Sequence, residues 1–236
     1  MLPATVRRVG RDERGVSMAE LLVGASVSVI ILATLAGFFV AAIKGSASNA
    51  GADTNVRQAT NTINAMSRYL RAATTRDVPS SLVPDSAIVK ATPTDLTFYA
   101  YINLIDDPDI AKRTAERPVL ARYFLDPTSR QLVQQLSACS ADANGYYSCP
   151  AVTSTTRLGG PIASPTIDGV PLFTYQDADS RDIDLTNGEL TAMQRTAVRF
   201  VTVNLELGSA TAGAGSNAHL RNTVGLLNLG RAGATP

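Results

Sequence analysis

Few side chains in this sequence could do chemistry, and they fall into four groups. Cys139 and Cys149 bracket the segment SADANGYYS, a spacing that can close a short disulfide loop. Acids crowd the segment DADSRDIDLTNGE, where Asp177, Asp179 and Asp182 could offer oxygens to a calcium ion. His219 is the single histidine. Glu20 stands at the leading end of a run that carries no charge from Leu21 to Ile43.

Most of these groups read as structure. Two cysteines are a poor structural zinc set, so a Cys139–Cys149 disulfide is expected, adding about 2–4 kcal/mol by limiting the unfolded chain. Calcium is a weak reading of the acidic segment. Arg181 sits amid the run, and Gly188 stands where the twelve-residue loop of an EF-hand needs a bidentate Glu. A solvated turn fits these acids better, as it does Asp106, Asp107 and Asp109. His219 has no serine or cysteine nucleophile beside it and reads as a strand residue. Tyr146 and Tyr147 are expected to pack onto the domain. No catalytic residue, resident metal or cofactor is indicated, so the chain is not read as an enzyme.

Glu20 is harder to place. An ionised group well inside a hydrocarbon layer costs roughly 2.5–3.5 kcal/mol, so such residues have a partner and a task. The run behind it, residues 21–43, is 23 residues long. As a helix it covers about 34 Å, enough to cross a bilayer. Arg7, Arg8, Arg11 and Arg14 precede it against only Asp12 and Glu13, which assigns the start of the chain to the cytoplasm. The chain beyond Lys44 would then lie outside, where oxidising conditions suit a disulfide. Overall charge is nearly balanced, 21 Lys and Arg against 20 Asp and Glu, so nucleic-acid binding is not indicated. A plain membrane anchor and a cleaved secretory signal are both open on these grounds, but neither accounts for Glu20 or for Gly15 before it.

The segment RGVSMAELLVGASVSVIILATLAGFF resembles the signal of type IV pilins and type II secretion pseudopilins. That family has a basic leader ending in Gly, a Glu at the fifth mature position and a long apolar helix. The resemblance rests on Gly15, Glu20 and ELLV, with Val16 where Phe is usual. It implies that residues 1–15 are a leader removed by a prepilin peptidase between Gly15 and Val16, and that Val16 is then N-methylated. Cleavage would expose a cationic amino group at Val16, and Glu20 is placed to meet such an ammonium, its own or that of a neighbouring subunit. In a low-dielectric bundle an unmatched Glu20 is costly and a matched one tolerable, so the acid would set assembly register.

Beyond Lys44, Val56, Ala59, Ile63, Met66, Leu70 and Ala73 recur at intervals of three or four and share a helical face, while Arg57, Asn61, Asn64, Arg68 and Arg71 take the rest. The expected order is residues 16–44 as a membrane or filament-core helix, 45–76 as its amphipathic continuation, and 77–236 as a β-rich extracytoplasmic domain. Gly45 and Gly51 weaken the helix locally, while Gly37 either lets neighbouring helices approach closely or marks a local melting point used in filament packing. DLTFYAYIN, RPVLARYFLD, QLVQQLS, GVPLFTYQD, TAVRFVTVNLELG and HLRNTVGLLNLG read as strands, with DPTSR as a hairpin turn. The fold class is α+β, a long N-terminal helix packed on an antiparallel sheet. Within the family, F-x-Y-x-D at 173–177 and LRN at 220–222 resemble PilW-type minor pilins and the J-type minor pseudopilins. The resemblance implies partners: the peptidase, sibling pilin or pseudopilin subunits, an inner-membrane assembly platform and membrane lipid. A membrane-anchored or secreted binding domain or enzyme is the alternative.

Overall fold

The computed structural model of the protein describes residues 17–76, 85–102, 118–144, 146–164, 166–167, 169–185, 187–208 and 217–229. The chain divides into two compact units, the first ending at Ala47 and the second beginning at Ser48.

One helix, α1 (Met18–Arg71), runs through both. Its start is set by a reciprocal cap. The Glu20 amide donates to Ser17 Oγ at 3.2 Å, and the Ser17 amide donates to Glu20 Oε2 at 3.4 Å. In the first unit every described residue is exposed, Leu21, Phe38 and Ile43 at 66, 73 and 60%. This helix is long and apolar enough to cross a membrane.

In the second unit the expected stripe is buried from Ala59 through Ile63, Met66 and Leu70 to Ala73, and the five polar positions opposite are exposed. Val56 is the exception at 45% exposure, because the packed face begins only at Ala59. Thr62 and Ser67 are buried with the stripe. The helix also stops at Arg71, short of position 76. There the backbone joins a sheet: the Thr74 amide donates to the Tyr99 carbonyl and the Tyr101 amide to the Ala72 carbonyl, both at 3.0 Å.

The strands form two principal antiparallel sheets where a single one was expected. The larger is β1 (Ile88–Ala91), β2 (Asp95–Tyr101), β3 (Pro118–Leu125), β4 (Leu132–Ala138) and β7 (Ser154–Gly159), in that spatial order. The smaller is β10 (Phe173–Gln176), β11 (Phe200–Leu207) and β12 (Ala218–Gly225). Two short ribbons complete the strands: β5 (Ser140–Ala141) with β6 (Tyr147–Ser148), inserted between β4 and β7, and β8 (Thr166–Ile167) with β9 (Val170–Pro171), between β7 and β10. The β3–β4 turn is the expected one; Asp126 takes the Thr128 amide and the Ser129 hydroxyl on its carboxylate. A capped helix, α2 (Ala192–Ala197), takes the first residues of the segment TAVRFVTVNLELG, whose strand therefore begins at Phe200.

α1 is packed against both principal sheets. Thr62 Oγ1 donates to the Leu158 carbonyl of β7 at 2.9 Å, and Asn222 Nδ2 of β12 donates to Ser67 Oγ at 3.0 Å. A Cβ at Gly159 would lie 2.7 Å from Thr62 Oγ1, so glycine is what lets the helix come this close to β7. Below the helix one continuous core joins Phe98 and Tyr123, stacked at 5.9 Å, to Phe173, Tyr175, Val201, Val203, Leu205 and Leu207. Burial pushes the Tyr123 phenol far up, and its oxygen takes a hydrogen bond from Gln134 at 2.6 Å.

Candidate functional site

The N-terminal segment is where sequence reasoning concentrated function. Gly15 and Val16 lie outside the described residues. Glu20 is described, and its carboxylate is already engaged, though weakly, by the amide of Ser17. Reasoning from charge alone missed Ser17; the S-x-x-E spacing of a capping box was the signal. Beyond Glu20 the hydroxyls turn inward on the helix itself. Ser26 donates to the Leu22 carbonyl and Ser28 to the Gly24 carbonyl, each at 2.8 Å, and Thr34 to those of Ile30 and Ile31. No polar side chain from 21 to 43 is left without an acceptor, which is what an apolar solvent demands.

Cys139 and Cys149 form a disulfide, with Cα atoms 4.1 Å apart. The bridge encloses the β5–β6 ribbon, whose turn is held by Asp142 accepting the amides of Asn144 and Tyr146 at 2.8 and 2.9 Å. Tyr147 packs edge-on against Tyr101 with ring centres 6.4 Å apart, and its carbonyl accepts from Arg76 at 3.3 Å. The loop is thereby tied to the larger sheet.

The acidic segment is organised by its own backbone. Asp177 Oδ1 accepts the amides of Asp179 and Arg181, both at 2.9 Å, around Ser180 at φ 61°. Asp182 accepts from the Gln176 side chain, and Asp179 pairs with Arg181 at 3.3 Å in solvent. Among the described residues no three His, Cys, Asp or Glu side chains are grouped to hold a metal ion. Asp106, Asp107 and Asp109 lie outside the described residues. His219 is exposed on β12, opposite Glu206 of β11.

The two motifs of the C-terminal half have structural roles here. Phe173 and Tyr175 are core residues, and the Tyr175 hydroxyl donates to the Thr92 carbonyl at 2.8 Å. Asn222 of LRN is the residue that bonds Ser67 on α1.

Two charge clusters were not read from the sequence. Asp95 is buried between Arg122, bonded through Nε at 3.0 Å and Nη2 at 2.7 Å, and Lys90 at 2.8 Å. Burial would push its carboxyl up, but the hydrogen bonds and charges of Arg122 and Lys90 outweigh this and hold it below the usual carboxylate range. The second cluster gathers Arg76, from just beyond α1, and Arg195, from α2, on one pocket. Neither cluster has a signal in local spacing, since strand pairing and packing bring the groups together.

No family model matches the chain, and no curated protein matches it.

Proposed function

We propose that the chain is a minor pilin or pseudopilin, most like the PilW and J types, that is matured by a prepilin peptidase and built into a thin filament. The observation that carries this reading is the bare apolar segment 21–43 led by one acid, on a helix whose later half belongs to an α+β domain. Removal of residues 1–15 would leave a cation at Val16, and Glu20 would answer the corresponding cation of a neighbouring subunit. Its present contact is a 3.4 Å bond to its own helix cap, weak enough to be exchanged. The apolar helix first sits singly in the cytoplasmic membrane with the domain outside, then packs among its siblings on an inner-membrane assembly platform. The domain contacts other subunits in an initiating or tip complex. Its work is binding and mechanics rather than catalysis.

Mass spectrometry of the protein recovered from cells tests the reading. A methylated chain starting at Val16 supports it. Retention of Met1 would make the segment a plain anchor, and a start near Ala50 or Ala52 a secretory signal; either result overturns the proposal. Glu20→Ala should leave cleavage intact and abolish incorporation into filaments.

A further inference from the structure

We propose that the free edge of β12 is a docking site for an extended segment of another protein. The segment would add an antiparallel strand to the smaller sheet, with acidic side chains on the Arg221 face and apolar ones on the Leu220 face.

Hydrogen-bond parity fixes which groups of β12 point outward. The Leu226 amide donates to the Arg199 carbonyl at 2.8 Å, one step beyond the β11–β12 register. In an antiparallel pair, residues that exchange bonds alternate with residues that do not. Ala218, Leu220, Asn222 and Val224 therefore bond β11, and the backbone groups of His219, Arg221, Thr223 and Gly225 face away from it. β11 shows the same phase on its other side: the Asn204 amide donates to the Leu172 carbonyl and the Glu206 carbonyl accepts from Ala163, both at 2.8 Å.

The other edges of the two principal sheets are met. The Ala91 carbonyl of β1 takes the Leu190 amide at 2.9 Å, the Tyr175 carbonyl of β10 takes the Ile183 amide at 2.8 Å, and the Leu158 carbonyl of β7 takes the Thr62 hydroxyl. Among the described residues no hydrogen bond reaches the outward row of β12. Yet β12 has 8 residues, no proline and no break in its register against β11. Edges are ordinarily blunted by shortness, proline or bulges, and a long regular one is a template for another strand.

The side chains select the strand. Arg221 is exposed, with no acid within ion-pair distance among the described residues. A strand laid along β12 sets a side chain directly across from it, where an opposite charge stabilises and a like charge does not. On the other face Leu220 is only half-covered by the core, and Asn222 is turned to Ser67 of α1. Apolar side chains of the incoming strand would complete that cover. A second β12 is a poorer occupant, because two-fold pairing about its middle brings the two Arg221 side chains together. The inference rests on the domain alone and holds whether or not the chain enters a filament.

The test is amide hydrogen exchange on the full chain in detergent micelles. The probe is the end-capped peptide Thr-Val-Glu-Val-Glu-Val-Thr, beside a counterpart with lysine in place of glutamate. In the free chain the His219, Arg221, Thr223 and Gly225 amides should exchange freely, while those of Leu220, Asn222 and Val224 are slow. Saturating peptide should slow the outward amides about tenfold or more. N-methylation of the two glutamates, whose amides would face β12, should abolish binding, and N-methylation of the valines should not. The lysine peptide should bind about tenfold more weakly, and Arg221→Glu should reverse that preference. Outward amides already slow in the free chain, protection that grows with protein concentration and needs no peptide, no binding of the acidic peptide, equal effects of the two methylations, or a preference unchanged in Arg221→Glu would each overturn the proposal.

Discussion

The two halves of α1 solve the same problem in opposite ways. From Met18 to Ala50 every residue of the helix is exposed, and every hydroxyl between 21 and 43 is bonded to a carbonyl of its own turn. From Ala59 to Leu70 the helix is covered, and Thr62 and Ser67 spend their side chains on partners in two different sheets. A hydroxyl that bonds its own helix asks nothing of its surroundings. One that bonds a strand fixes where the strand must be. The hydroxyls of the first half thus demand no partner beyond the helix, and those of the second fix the place of two sheets.

The sharpest way to break this contrast is a pair of truncations. Met66, fully buried, should cost about 2–5 kcal/mol as Met66→Ala, read as a lower denaturation midpoint of the domain. Leu32, 65% exposed, should shift that midpoint by less than about 0.5 kcal/mol as Leu32→Ala in detergent. Equal effects would mean that the apolar half has packing partners within the chain.

A second substitution sharpens the point at the closest approach. Gly159→Ala drives a methyl to 2.7 Å from Thr62 Oγ1, so the hydroxyl must turn away from the Leu158 carbonyl or the helix must lift. The expected cost is about 1–3 kcal/mol. Because the clash is with Thr62 itself, Gly159→Ala combined with Thr62→Ala should be less harmful than the sum of the two single changes. Additive effects would show that Gly159 does not act through that contact.

The acids carry the same contrast. Glu20 is held by a cap within its own helix, whereas Asp95 is locked by cations from two strands. The folded Asp95 carboxyl titrates below its unfolded value. Its contribution is complete above the unfolded pKa and drains away as pH falls through the folded one. Asp95→Asn should therefore cost about 1–2 kcal/mol near neutral pH, less than a fully buried pair because Lys90 and Arg122 are 42 and 40% exposed. The gap between wild type and variant should close in acid, as thermal melts across the pH range would register. A gap that persists below the carboxylate range would assign the loss to packing instead.

Legibility in the sequence tracks the range of the interaction that decides each feature. Ala59, Ile63, Met66 and Leu70 announce their face because helical period is local, and DPTSR announces its turn for the same reason. α2 was equally local, since Thr191 and Gln194 form the reciprocal cap, yet the β-branched run after it masked it. The division into two sheets was not legible, because Gly159 and Asn222 acquire their meaning only when β7 and β12 reach α1. Val56 fits the period perfectly and is still exposed, as periodicity names a face and not the length over which it is covered. Around Glu20 the acid was conspicuous by its charge, but the pocket of Arg76 and Arg195 had no such mark. Its two arginines stand far apart in the chain, and α2 had gone unread.

The smallest expected effect separates the two duties of the helix start. Ser17→Ala removes the oxygen that takes the Glu20 amide and should loosen the first turn by about 1 kcal/mol, visible as faster amide exchange at residues 18–21. It leaves the Glu20 carboxylate, and its charge, in place. Glu20→Gln does the reverse: the side-chain oxygen can still accept the Ser17 amide, but the negative charge is gone. If the acid works by charge, Ser17→Ala protein should still enter filaments and Glu20→Gln protein should not. If both enter, the charge is not what docks the subunit; if both fail, the cap and the charge are not separable and the start of this helix would be a folding signal as well.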